Sequence, residues 1–132
     1  MLIVEDENVV LDTMMGYFDE FCSAKVDIAR DGQEAINQCA IRARPQNCCG
    51  PYRLILMDLG LPGISGFEAT GQIRKLHGYE KTTVIAITAL MEKNVKHKIK
   101  VAGFDKVLYK PIDTASTINL LKDHNIFKGK EF

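Results

Sequence analysis

The chain has 132 residues, 46% apolar and 26% charged, and its 17 lysines and arginines balance 17 aspartates and glutamates for a formal net charge of zero. That length suits one domain with a single sizeable core. The balance provides no global basic excess to hold nucleic acid and no acidic tail for a basic partner, and no apolar run approaches the length of a membrane span.

Leu2–Val4 reads as a short buried strand running into Glu5-Asp6-Glu7. So short a lead-in raises the expectation that residues 1–132 are one domain excised from a longer protein. From Asn8 to about Phe21, the residues Val10, Met14, Tyr17 and Phe21 recur at helical spacing and form an apolar stripe. Lys25–Ala29 alternates weakly, as a second strand does. Asp31-Gly32 then turns into a helix over Gln33–Ala43, with Asp31 and Glu34 at capping-box spacing. Arg44–Tyr52 is a Pro/Gly/Asn/Cys loop, longer than most helix-to-strand connections.

Leu54–Met57 is four apolar residues in a row, the pattern of a strand buried on both faces. Asp58 stands at its carboxyl end, and the turn Leu59-Gly60-Leu61-Pro62-Gly63 follows at once. A helix starts near Ser65, with Glu68 at capping-box spacing, and fades near Leu76 before His77-Gly78. Thr83–Thr88 is a fourth buried strand, and Met91–Val101 a polar helix stopped by Gly103. Lys106–Tyr109 makes a fifth strand, broken by Lys110-Pro111. Asp113 can cap a last helix whose apolar face includes Ile118 and Leu121.

Five strands alternating with five helices predict an α/β fold, a doubly wound parallel sheet with helices on both faces. Right-handed crossovers favour the flavodoxin-like (βα)5 order 2-1-3-4-5. In that order the first and third strands are neighbours, and ligands bind at their carboxyl ends. Glu5, Asp6 and Asp58 therefore converge. Two such charges about 4 Å apart repel by roughly 4 kcal/mol at an effective dielectric near 20. A fold tolerates this where a cation sits between them or a proton is shared. An oxygen-only donor set suits magnesium or manganese rather than zinc or copper. Thr88 ends the fourth strand with a hydroxyl beside Ala89, and Lys110 ends the fifth with an ammonium. Carboxylate, metal site, hydroxyl and ammonium on one sheet edge are what accepting a phosphoryl group onto an aspartate requires.

On these residues the chain resembles a response-regulator receiver domain of two-component signalling. The likeness runs from about Leu2 to Leu121. It rests on Ile3-Val4-Glu5-Asp6-Glu7, on Met57-Asp58-Leu59-Gly60-Leu61-Pro62-Gly63-Ile64-Ser65-Gly66, on Ile87-Thr88-Ala89 and on Tyr109-Lys110-Pro111. The resemblance implies that Asp58 is the phosphoacceptor, taking phosphate from a phosphohistidine. It implies that Asp6, Asp58 and the Gly60 carbonyl bind magnesium, with Glu5 acting mainly through water, and that Thr88 and Lys110 hold the phosphoryl oxygens.

Two departures stand out. Such domains commonly carry an aromatic residue three positions before the lysine, where this chain has Val107. Tyr109 is adjacent to the lysine and points to the opposite side of the strand. Gly60 lies two positions after the acceptor and Leu90 two after Thr88, and neither side chain can hydrogen-bond an attacking water. Slow hydrolysis of a phosphorylated Asp58 is the expectation.

The early first strand, the Arg44–Tyr52 loop and the Gly60-Leu61-Pro62 turn are similar to receivers carried inside hybrid sensor histidine kinases. The implied partners are a sensor-kinase dimerisation domain and a histidine phosphotransfer domain, with no direct contact to nucleic acid or membrane. The first helix is where such partners usually dock; Val9, Met15 and Phe18 could include an exposed apolar patch there, with core packing the commoner use of any one of them. Lys93, Lys96, His97, Lys98 and Lys100 make the fourth helix basic, either a solvated face or one for an acidic partner. The alternatives are a stand-alone single-domain regulator and a small aspartyl-phosphate hydrolase. The hydrolase would need a second acid–base carboxylate where Leu59 and Gly60 stand. A flavodoxin-like cofactor binder is disfavoured because Glu5-Asp6-Glu7 would repel a phosphate.

Cys22, Cys39, Cys48 and Cys49 have no C-x-x-C spacing, which fits a reduced, cytoplasmic protein with structural or incidental thiols.

Overall fold

The computed structural model describes residues 1–89 and 94–128. The strands are β1 (Leu2–Val4), β2 (Asp27–Ala29), β3 (Leu54–Asp58), β4 (Thr83–Thr88) and β5 (Lys106–Tyr109). The helices are α1 (Asn8–Phe21), α2 (Gly32–Arg42), α3 (Gly66–Arg74), α4 (Val95–Val101) and α5 (Thr114–Asp123). The sheet is parallel throughout in the order β2-β1-β3-β4-β5, the expected flavodoxin-like topology. Both β4 and β5 have the bounds read from sequence. β3 is one residue longer, because Asp58 itself pairs in register with Ile87. The expected helix start at Met91, together with Leu90 and Lys93, lies outside the described residues.

All five residues of β3 are buried, as helices on both sheet faces require. Alternation sorts the strands into two cores. Val4, Ile55, Met57, Val84 and Ala86 meet Ala35, Cys39, Ala69, Ile73 and Ile99 from α2, α3 and α4. Ile3, Leu56, Ile85 and Ile87 meet Leu11, Met14 and Phe18 of α1 and Leu120 and Leu121 of α5. Each fully buried aliphatic there contributes about 1.5–3 kcal/mol.

The helix faces differ in detail from the sequence reading. The inward row of α1 is Leu11, Met14 and Phe18, whereas Val10 and Phe21 are only partly buried against it. Of the three candidates for an exposed patch on α1, Phe18 packs in the core at 3% exposed and Met15 is half-buried, while Val9 is 78% exposed. The reason is that α1 is apolar over most of its circumference. Its row toward Ile3 and Leu56 competes with the Phe21 row, which is covered from the chain's end by the stacked Phe127 ring, centroids 6.2 Å apart. In α5 the buried residues are Thr117, Leu120 and Leu121, and Ile118 is half-buried.

Three helices carry side-chain caps as the spacing foretold. Asp31 accepts from the Glu34 N–H at 2.7 Å, Ser65 from Glu68 at 3.2 Å and Asp113 from Ser116 at 2.7 Å. The long loop after α2 is anchored by Arg42. Its Nε donates to the Gly50 carbonyl at 2.7 Å and its Nη2 to that of Cys49 at 3.3 Å. The guanidinium lies 3.9 Å over the Tyr52 ring and 3.6 Å from Asp27, so loop, edge strand and the entry to β3 are tied together. No described helix is long and apolar enough to cross a membrane.

Candidate functional site

The carboxyl edge of the sheet gathers side chains from residues far apart in sequence. Glu5 follows β1, and its N–H donates to the Ala29 carbonyl at 3.0 Å, extending the β1–β2 ladder by one residue. Asp58 ends β3. Lys110 follows β5, and its N–H donates to the Thr88 carbonyl at 2.8 Å. The Lys110 Nζ lies 2.9 Å from Glu5 Oε1 and 3.2 Å from Asp58 Oδ2. The other Asp58 oxygen, Oδ1, accepts from the Gly60 N–H at 3.0 Å. Each oxygen of the Asp58 carboxylate thus has one fixed partner, an ammonium on one and the backbone of the turn on the other.

Carboxylate oxygens of Glu5, Asp6 and Asp58 lie within 4.8 Å of one another. Glu5 is 1% and Asp58 5% exposed, and Asp6 is half-buried. Burial, then the hydrogen bond shared with Asp58, pushes the Glu5 carboxyl up to about 8 against the opposing Lys110. At Asp58, burial acts to raise the affinity for a proton. The bonds with Glu5, with the Gly60 N–H and with Lys110 outweigh it and leave the group below its ordinary value. Burial likewise opposes the Lys110 charge, but Glu5 and Asp58 together hold it above its ordinary value. The same contacts thus push the two carboxyls in opposite directions, Asp58 down and Glu5 up. Glu5 Oε2 is buried with no hydrogen-bond partner within bonding distance among the described residues, beside the oxygens of Asp6 and Asp58. These residues fit a hard divalent cation.

The residues singled out from sequence come together unequally. Glu5, Asp6, Asp58 and Lys110 form one cluster, with Gly60 bonded to it through its N–H. Thr88 is buried at the end of β4 and is joined to Lys110 through its carbonyl. It is one register step beyond Ile87, the partner of Asp58, and by alternation shares the face of Val84 and Ala86. Val107 packs into the core beside α4. Tyr109, half-buried, stands opposite Thr88 in register. Two supports were missed in the sequence. Arg30 donates to the Asn8 side chain and, at 3.5 Å, to the Asp6 carbonyl, fixing the loop that carries the acidic pair. The signal for it was topological, since Arg30 follows the strand beside β1. The second is a cleft of about 380 Å³ next to Lys110, lined by Val9, Val10, Ala89, Pro111 and Ile112 among others.

The family model described as response regulator receiver domain matches residues 1–122, and the chain belongs to that family. Among curated relatives, the probable histidine kinase 2 of Oryza sativa is 32% identical over 98% of this chain and 13% of its own length. The signal transduction histidine-protein kinase BarA of Escherichia coli is 31% identical over 92% of this chain and 14% of its own. The chain thus spans about one seventh or less of these relatives. An uncharacterised 14.6 kDa protein of Leptolyngbya boryana is 27% identical over 94% of this chain and 88% of its own. Among solved structures, the receiver domain of a sensor histidine kinase from Pseudomonas aeruginosa, with magnesium coordinated in its active-site cleft, has a TM-score of 0.71. It is 28% identical over 92% of this chain and 93% of its own. The chemotaxis protein CheY4 of Vibrio cholerae, at TM-score 0.78 and 24% identity over 92% and 94%, shares the fold.

Proposed function

We propose that this receiver domain accepts a phosphoryl group on Asp58 from the phosphohistidine of a sensor-kinase dimerisation domain and passes it to a histidine phosphotransfer domain. The observation that carries the reading is the Asp58 carboxylate held between Lys110 Nζ at 3.2 Å and the Gly60 N–H at 3.0 Å. An Asp58 oxygen attacks phosphorus in line while the bond to the histidine nitrogen breaks, and the imidazole leaves with a proton from solvent. Lys110 and the Thr88 hydroxyl receive the phosphoryl oxygens as charge accumulates on them. Asp6, Asp58 and the Gly60 carbonyl would hold magnesium, with Glu5 Oε2 reaching it through water; manganese suits the same oxygens. When bound, the ion supplies charge neutralisation to the transferring group.

The apolar cleft beside Lys110 gives a helical partner carrying the histidine a place to rest, with Val9 of α1 at its rim. The relatives of which this chain spans a small share are histidine kinases, which supports a receiver carried within a longer, hybrid kinase working in the cytoplasm. The small Leptolyngbya protein, of which the chain covers 88%, favours the second reading, a stand-alone regulator acting by protein contact.

The test is incubation with acetyl phosphate, with and without magnesium. Stoichiometric, magnesium-dependent labelling is expected, absent in Asp58→Asn and slowed roughly 10²-fold in Lys110→Ala. Labelling that survives Asp58→Asn overturns the site, and catalytic turnover of a phosphomonoester points to a hydrolase instead.

A further inference from the structure

We propose that the adjacent thiols of Cys48 and Cys49 are a reversible modification site, closing to a vicinal disulfide when the chain meets a disulfide oxidant of the oxidised-glutathione class. Their Sγ atoms lie 3.9 Å apart. Both residues are exposed, whereas Cys22 and Cys39 are buried. The pair is presented by anchored backbone: Asn47 Oδ1 accepts from the Cys49 N–H at 2.9 Å, and Arg42 holds the Cys49 and Gly50 carbonyls. A resident zinc does not fit, since tetrahedral sites need four ligands. Among the described residues, the side chains close enough to share an ion are Glu5, Asp6 and Asp58, at the other edge of the sheet.

The chemistry balances as two exchanges. One thiolate of the pair attacks a sulfur of the oxidant, forming a mixed disulfide and releasing a small thiolate. The second protein sulfur, already in contact, attacks the first and expels the other small thiolate as the Sγ–Sγ bond forms. The dithiol loses two electrons and the oxidant gains them, and the protons of the protein thiols end on the released thiols.

Geometry sets the character of the bond. Adjacent Cα atoms are about 3.8 Å apart across a trans peptide, short of the roughly 4.4–6.8 Å that an ordinary bridge spans. The ring is therefore strained and easily reduced, the mark of a switch rather than a staple. Closing it twists the Cys48–Cys49 peptide, whose N–H donates to Asn47, and so shifts the adjoining Cys49 carbonyl to which Arg42 donates. Arg42 in turn reaches Asp27 on β2 and the Tyr52 ring before β3, so oxidation acts on the outer strand and on the entry to the strand that carries Asp58.

The test uses the full chain in glutathione redox buffers, read by intact mass and peptide mapping, beside Cys48→Ser and Cys49→Ser. The wild-type peptide holding both cysteines is expected to lose the mass of two hydrogens and to regain it in excess reduced glutathione. Each serine variant is expected to carry a glutathione adduct instead. A second probe is phenylarsine oxide, which needs two neighbouring thiols: one equivalent should bind wild type and none the variants. A wild type that forms no ring overturns the proposal whatever the variants do. So does a ring that resists excess reduced glutathione, or equal arsenical binding by wild type and variants.

Discussion

Gly66, the first residue of α3, leaves no room for a side chain against Asp58. A Cβ there would run into the Asp58 carbonyl oxygen and stand 3.0 Å from Cα of Leu59. The contact is with backbone, so no rotamer change can relieve it. Gly66→Ala should push α3 off the end of β3, costing about 1–3 kcal/mol in urea unfolding and slowing phosphorylation of Asp58. A variant as stable as wild type would mean that the helix shifts without cost and that the close approach has no part in shaping the site.

Three carboxylates with oxygens within 4.8 Å of one another repel when no cation separates them. Asp6→Asn should therefore raise the unfolding midpoint of the metal-free protein and remove its response to magnesium. Wild type should gain about 2.7 kcal/mol when magnesium is a hundredfold above its Kd. Equal magnesium-dependent shifts in both proteins would take Asp6 out of the metal site.

Gly60 is exposed, and a Cβ built on it meets only Asp58 Oδ1, at 3.8 Å. A side chain is thus accommodated there and points at the acceptor. Gly60→Asn offers an amide that can orient water, and the phosphorylated form should decay faster than wild type when followed by loss of label. Unchanged decay would show that water reaches the phosphoryl group without help from this position, and the slow-hydrolysis expectation would fail.

His124, the residue closing α5, has its Nε2 buried without a hydrogen-bond partner. Burial, then the Lys106 charge, holds its proton affinity below the ordinary 6.5, with Asp123 and Asp105 acting the other way. The unfolded chain therefore binds the proton more readily than the folded one. Stability is full above about pH 6.5 and falls as pH drops through 6.5 toward the folded value. Unfolding titrations between about pH 8 and about pH 5 should show wild type losing stability relative to His124→Gln. Parallel curves would refute the assignment.

The sheet was legible because a strand buried on both faces writes itself as an apolar run, and Thr83–Thr88 matched to the residue; the partly buried edge strand Lys106–Tyr109 matched because Lys110-Pro111 ends it. Membership of the cluster was legible for Glu5, Asp58 and Lys110 because strand order alone brings strand ends together. The facing of α1 was not. The row Val10, Met14, Tyr17 and Phe21 shares Met14 with the buried row Leu11, Met14 and Phe18 and has the same helical spacing, and its far end is covered by Phe127, more than a hundred residues later, stacked on Phe21. Nor could spacing reveal that Lys110 bonds Glu5 as well as Asp58, or that Arg42 locks the loop through two carbonyls. Such contacts depend on side-chain reach and leave no periodic trace in the sequence.

The partners of Lys110 are 105 and 52 residues away along the chain. The first strand's carboxylate meets its counterion only after the last strand has been made and docked. During synthesis a chain that has not reached Lys110 holds its two acidic strand ends without their shared ammonium, however much of its sheet has formed. Docking of β5 is then the step that adds the charge, and the edge of the sheet acquires its full electrostatic character last.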